Sequence, residues 1–420
     1  MKKINLILGF FLMILCLPIF FSPVQSQTPS WNFLGTPIQL TNWFDHVGRP
    51  GIAVESTGNI HITYRAHDTS NLETWYANNL GNQYGNITHT EVVDNDVTQN
   101  FEGAAIAIDE NDVVHMVWLE DFGIPELYYM NNSGGAFNVI PILINVGPLM
   151  VDNFPDIAID NLGTIWIVFN NNTGVYVTYI QNSVLGTIVK IPNTSNLSEN
   201  PRIAANVYPH IVFANGTGSQ KEIYYSKRII TFSTPINVTG DTSFECSMPD
   251  IFVDSSEIPY IVYQYDWPNG VCSNTSEIFY SSNLETPYYI TYDVYNHTNP
   301  SIAVTSQGSV LVVYETDIGG GNENIHLKIK NSGENFQLML NIYRTLTINP
   351  FSDLYPRIGI DAADNIHVVW RGYDGSTWNI FYNRGIQPTI TTPPIPGFTI
   401  PLIFMATTVV ILLSYKKYKK

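Results

Sequence analysis

Arginine is scarce in this chain. Eight occur in 420 residues, and four of them stand in repeated surroundings. Arg65 and Arg371 each follow the aromatic that closes an apolar run, Tyr64 and Trp370. Arg49 and Arg357 flank Pro50 and Pro356. A guanidinium fork grips a carboxylate through two parallel hydrogen bonds, so these four, drawn together, would form a receptor for an acidic group. The competing arrangement pairs each with a nearby carboxylate such as Asp45, Asp68, Asp353 or Asp374. Phe122, Trp267 and Trp378 stand in polar loops, where exposed rings would stack on a ligand's apolar face. Folded back onto their strands, the same rings would be packing.

Other chemistry finds less support. His61, His115, His210 and His367 each precede such a closing aromatic by three residues, but Trp166, Tyr260 and Leu311 fill the same slot elsewhere. A slot that accepts Trp and Leu is read as packing rather than metal ligation. Asp109, Asp160, Asp254 and Asp361 recur at a turn, where short acidic side chains bond nearby backbone N–H groups. No Asp-x-Asp-x-Asp-Gly loop supports calcium, and no cofactor is expected. A Gly-x-Ser-x-Gly nucleophile motif is absent. Glycoside hydrolysis needs two carboxylates close together, and 36 acidic residues select no pair. No catalytic residue is nominated, and binding is the leading expectation over catalysis.

What positions these residues is a phrase written seven times. It starts near Pro50 ("RPGIAVESTGNIHITY"), Ala104, Pro155, Pro201, Pro249, Pro300 and Pro356 ("YPRIGIDAADNIHVVW"), at intervals of 54, 51, 46, 48, 51 and 56 residues. Each unit holds an apolar strand, a polar turn, a β-branched strand ending in an aromatic, a variable loop, and a third strand such as "EIYYSK" or "NIFYNR". A weaker fourth follows, as in "TPINVT". Four antiparallel strands every ~50 residues spell a propeller blade. The middle residue of the first strand is Ala53, Ala107, Ala158, Ala204, Phe252, Ala303 or Gly359, small in six of seven, as expected where innermost strands converge on an axis. The last unit lacks a fourth strand. "GTPIQLTN" at Gly35–Asn42 matches "STPINVTG" at Ser233–Gly240, so Thr36–Thr41 is expected to complete that blade and leave no open edge. The fold class is therefore all-β, a seven-bladed propeller closed by an N-terminal strand.

The ends read as targeting segments. Lys2 and Lys3 precede an apolar run, giving a signal peptide over 1–26. The propeller spans 31–386, a Pro-rich stalk 387–397, a transmembrane helix 398–415 and a basic tail 416–420, placed in the cytoplasm by its lysines. Outside the two ends lie 36 acids and 13 bases, a net charge of −23, which disfavours nucleic acid. Candidate glycosylation sites are Asn86, Asn131, Asn171, Asn193, Asn196, Asn215, Asn237, Asn274 and Asn296. Cys246 precedes the first strand of the fifth unit and Cys272 follows its second. An antiparallel pair returns to its starting side, so a disulfide between them is expected in an oxidising compartment.

The repeat phrases, "P-x-I-A-V-D-x-x-G-x-I-H-V-V-W" alternating with "I-Y-Y", resemble those of sialidase-type secreted β-propellers. The family's Asp-box, Ser-x-Asp-x-Gly-x-Thr-Trp, survives only as "YDGSTW" at Tyr373–Trp378, one residue short, and sialidases have six blades where seven units stand here. The tail is similar to the Pro-Gly-Phe-type sorting tails of archaeal surface proteins. What these resemblances imply is a cell-surface protein anchored by its C-terminus. The loops after the second strands vary most and are the expected ligand face. The function expected is adhesion or capture of a glycan or protein, with a sialidase-like glycosidase as the alternative and a structural envelope protein as a third reading.

Overall fold

A computed structural model of the chain describes residues 32–33, 36–42, 47–67, 72–79, 88–93, 103–121, 125–135, 137, 140–144, 155–217, 220–240, 244–267, 275–319, 322–333, 343–347 and 350–386. The expected signal peptide, stalk, apolar span and tail lie outside them, as do Phe122, Cys272, Asn86 and Asn274.

Seven antiparallel sheets form the ring. Their innermost strands are Gly51–Val54, Ala105–Ile108, Asp156–Ile159, Ser198–Ala205, Glu245–Val253, Asn296–Val304 and Asp353–Ile360. Each pairs outward with the second strand of its blade, the second with the third, and the third with a short fourth. Neighbouring innermost strands touch all the way round, and the seventh meets the first.

Side chains of a strand alternate between its two faces, and here both faces of a blade are covered by the next blade. That is why the strands read as continuous apolar runs rather than as an alternation. Seven hydrophobic clusters result, one at each seam. Leu311, Val313, Ile358 and Trp370 belong to the seam of blades 6 and 7. Leu40, Ile62, Tyr64, Val369 and Tyr382 belong to the seam of blades 7 and 1, where the ring closes. The small residues of the innermost strands face the adjoining blade, not the axis. A Cβ on Gly359 would stand 2.6 Å from Val54 Cγ2 in blade 1.

Closure follows the sequence expectation. Ile38 and Gln39 pair with Tyr382 and Phe381, and Asn32 and Phe33 pair with Ile386 and Gly385. Leu40 N–H donates to the Ile380 carbonyl at 2.7 Å, and Ile380 N–H donates to Thr41 Oγ1 at 2.9 Å. The first described residue, Asn32, and the last, Ile386, are therefore neighbours. Both lie at the end of the blade that carries the tight turns between first and second strands, because Ile366, which starts the second strand, pairs with Gly385. The opposite end, where innermost strands begin and second strands finish, is the mouth face.

Blades 4 to 7 share a bulge near the start of the innermost strand, where the register shifts. The residue before the proline takes positive φ in each: Asn200 (51°), Met248 (46°), Asn299 (49°) and Tyr355 (56°). Asn tolerates that region. Met248 and Tyr355 do not, at a cost of order 1–3 kcal/mol each. Just beyond these bulges, Arg202, Asp250, Ser301 and Arg357 meet at the mouth of the central channel.

Candidate functional site

The residue after each first-strand proline forms a ring around the channel: Gly51, Asp156, Arg202, Asp250, Ser301 and Arg357, with Ala105 in the blade whose unit starts without one. Arg49 lines the same cavity of about 200 Å³. Innermost strands expose backbone N–H groups toward the axis, and two ring carboxylates satisfy such groups on the next blade. Asp156 Oδ2 accepts from Ile203 N–H, and Asp250 Oδ2 from Ile302 N–H, both at 3.0 Å. Their other oxygens face Arg202 at 3.6 and 4.0 Å. Blades 3 to 5 thus carry an alternating acid–base–acid arc.

The remaining sector is cationic. Arg357 donates to the Pro356 carbonyl at 3.0 Å. Burial pushes its guanidinium down to about 9, with the charges of Arg202 and Arg49 adding to the effect against Asp250 and Asp156. Arg49 lies over the Tyr355 ring, 3.9 Å from its centroid, a cation–π contact. Glu315 braces both bulges of this sector. It accepts from Tyr355 N–H, from Thr298 Oγ1 at 2.8 Å and from Asn299 Nδ2 at 2.9 Å. Burial nevertheless pushes its carboxyl up. Three guanidinium groups therefore share the mouth with two ion-paired aspartates.

Of the four arginines singled out in the sequence, the structure brings Arg49 and Arg357 together and separates the other two. Arg65 is 1 % exposed, wedged between blades 1 and 2, where its Nη1 donates to the Leu119 carbonyl at 2.9 Å and its Nη2 lies 3.7 Å from Glu120. Arg371 stacks over Trp378 at 4.2 Å. The reason is geometric: residues after the second-strand aromatic sit one strand further from the axis. The same stack, with Tyr373 at 5.3 Å, holds Trp378 half-buried against its blade, so this ring packs rather than projects. Trp267 ends a second strand opposite Thr275. Sequence reading missed Arg202, although "NPRIA" places it in the same position as "YPRIG" places Arg357.

The histidine slot is structural. His61, His115, His210 and His367 are each buried and bridge a carboxylate to a third-strand tyrosine. Glu55, Asp109, Glu257 and Asp361 face their Nε2, and Tyr76, Tyr129, Tyr225 and Tyr382 their Nδ1. Trp166 and Tyr260 reach the turn aspartates Asp160 and Asp254 in the same way, at 2.8 and 3.0 Å. The turn aspartates accept backbone N–H groups, as at Val113 and Asn365. Asp374, in the shortened Asp-box, likewise accepts from Ser376 and Thr377 N–H. These bonds, led by that from Thr377, hold its carboxyl at about 2.

No protein-family model matches the chain, and no curated protein does. Solved structures match it along most of its length. A Dyadobacter fermentans protein of unknown function is similar over 86 % of this chain and 100 % of its own, at 10 % identity and a TM-score of 0.55. Polysaccharide lyase Uly1 is similar over 85 % and 100 %, at 9 % identity and 0.51. The Trypanosoma rangeli sialidase is matched over 93 % of this chain and 63 % of its own, at 10 % identity and 0.42. The likeness is one of fold.

Among the sequon residues, Asn171 is a correction. It is 1 % exposed, with Oδ1 taking the Thr173 N–H at 2.8 Å, and has no room for a glycan. Asn193 and Asn196 are exposed, while Asn131, Asn215, Asn237 and Asn296 are half-buried. Cys246 is buried in the seam of blades 4 and 5, opposite Tyr265. Its expected partner lies outside the described residues.

The buried histidines predict an acid-labile fold. Burial lowers His61, His89, His115, His210 and His367, and with His297 and Lys328 it takes His326 to about 4. Each protonates more readily unfolded than folded. Their contribution is therefore complete above the unfolded value of about 6.5 and drains as pH falls through it toward the folded values. Asp156, Glu277 and Glu315 are raised and act the opposite way, but they are outnumbered. The melting temperature should fall steadily between pH 7.5 and 4.5. A flat or rising profile would contradict the burial of neutral imidazoles.

Proposed function

We propose that this propeller receives a terminal acidic unit of a glycan at the mouth of its channel. The observation that carries this is the sharing of one cavity by Arg49, Arg202 and Arg357 in a chain of net charge −17. A bound carboxylate would give Arg357, whose guanidinium is pushed down chiefly by burial, a further counter-charge. The cavity is smaller than the ~300–1,000 Å³ typical of sites for drug-sized ligands, which suits one terminal unit rather than a chain threaded through the ring. Ile386, the last described residue, lies on the turn face, opposite the mouth.

Binding of uronate- and sialate-ended oligosaccharides to the full chain, against their uncharged counterparts, tests this. Arg357→Ala and Arg202→Ala should each weaken the acidic ligands by about tenfold or more, since a hydrogen bond to a charged group is worth ~1.5–3 kcal/mol. Equal affinity for acidic and neutral forms, or for wild type and Arg357→Ala, would overturn it. Cleavage is the second reading. Burial pushes the Asp156 carboxyl up beside Arg202, the direction in which a general acid is tuned. The lyase among the structures of similar fold adds weight on that side. Release of new reducing ends or unsaturated products, lost in Asp156→Asn, distinguishes an enzyme from a receptor.

A further inference from the structure

A second concavity, of about 360 Å³, opens on the mouth face at the seam of blades 5 and 6. Its wall comes from "TPYYITYDVYNH", Thr286–His297, which packs four tyrosines into twelve residues. Tyr292 is 51 % exposed and Tyr295 39 %. Tyr292 does not swing freely, because its ring lies against Tyr289 with centroids 5.2 Å apart. An exposed ring held in place offers a flat apolar surface at little entropic cost.

The floor is a continuous hydrogen-bond chain. Asp293 Oδ1 faces His297 Nε2 at 3.0 Å, and His297 Nδ1 faces Thr316 Oγ1 at 3.0 Å. Thr316 Oγ1 faces His326 Nδ1 at 2.9 Å, and His326 Nε2 faces Thr345 Oγ1 at 3.2 Å. With the carboxylate accepting from His297, the order of donors is set by the network. Thr316 donates to His297, His326 donates to Thr316, and His326 Nε2 presents its lone pair toward the exposed Thr345 hydroxyl. These two histidines stand outside the slot that the other four fill.

The charged groups at this seam are already hydrogen-bonded within the protein. Asp293 also accepts the Tyr295 N–H at 2.9 Å. Lys328, 5 % exposed, donates to the Ile290 carbonyl at 2.6 Å. Glu277 accepts from Thr291 Oγ1 at 2.6 Å and from Asp293 N–H at 3.2 Å. What the cavity offers is hydroxyl-sized hydrogen-bonding positions beside an aromatic plate.

We propose that the seam of blades 5 and 6 is a second ligand site, separate from the channel mouth, which takes an uncharged saccharide unit stacked on Tyr292 with a hydroxyl donating to the Thr345 oxygen beside His326. A volume of this size holds one or two sugar rings, within the range of small-molecule sites. The two sites differ in the chemistry they read: ionic at the mouth, hydroxyl and ring face at the seam.

The test uses the full chain and an array of neutral oligosaccharides ending in glucose, galactose, mannose or arabinose. At least one should bind, with Tyr292→Ala and Thr345→Val each weakening it by about tenfold. Tyr292→Phe, which keeps the ring, should retain the affinity, and Arg357→Ala should leave it unchanged. Tyr292 is half exposed, so its loss should leave the melting temperature intact. If no neutral member of the array binds, or if binding survives both Tyr292→Ala and Thr345→Val, the seam is not a saccharide site. If Arg357→Ala abolishes neutral binding as well, the ligand sits at the mouth and the separate site does not exist. Failure of acidic ligands to bind would remove the reading of the mouth and leave this one standing.

Discussion

Deleting residues 31–41 should unfold the seventh blade and lower the melting temperature by roughly 10 °C or more, or prevent folding outright. The segment supplies the outer pairing of the strand Trp378–Ile386. It also supplies Leu40, 8 % exposed, and Ile38 to the seam that closes the ring, and Phe33 to the next seam. Burial of such side chains is worth about 1.5–3 kcal/mol each, and their joint loss approaches the ~5–15 kcal/mol that stabilises a typical domain. At ~2–4 °C per kcal/mol for domains of 150–250 residues, the midpoint drops as stated. Thr41 adds a buried hydrogen-bond junction, donating to Asn379 Oδ1 at 3.1 Å while accepting the Ile380 N–H. Thr41→Val alone should cost ~1–3 kcal/mol by stranding those groups. Deletion of residues 388–396, beyond the last described strand, is the control and should leave the melt unchanged. Equal melts for the two deletions would mean that the ring is not closed in this way.

The second large effect falls on Arg65. Arg65→Ala should destabilise the protein by ~3–5 kcal/mol, because Glu120, 2 % exposed, would keep its buried charge while losing its cationic neighbour. Trp118 Nε1 donates to Glu120 at 2.7 Å, so the disturbance should spread into the aromatic packing of blade 2. The double variant Arg65→Met with Glu120→Leu should recover most of the loss, since an apolar pair of similar volume removes both charges together. Affinity for acidic oligosaccharides should not change in any of these variants. A drop in that affinity without a drop in stability would return Arg65 to the binding site.

Much of the fold is legible in the sequence alone. The recurrence of "P-x-I-A-I-D" set the number of blades, because each copy is one unit whose apolar faces need a neighbour on either side. The likeness of "GTPIQLTN" to "STPINVTG" announced the closing strand. The histidine slot declared itself by accepting Trp and Leu. These features are local in the chain or periodic along it, and a periodic sequence records its own repetition.

The sites were less legible, for a definite reason. Sequence register showed that Arg49 and Arg357 flank the first-strand prolines of adjoining blades, yet it equally favoured Arg65 and Arg371. Distance from the axis decides between them, and that depends on which strand of a blade carries the residue and on which side the side chain leaves. Arg202 joins the cluster from blade 4, on the far side of the ring, because seven innermost strands converge on one channel and residues 155 positions apart come within reach of a single cavity. The seam of blades 5 and 6 was hidden for the same reason. Its histidines come from an innermost and a third strand, and its tyrosines from a connection between blades, joined only when the blades pack. Composition and period determined the architecture, whereas the convergence of seven innermost strands on one axis determined which residues could act together.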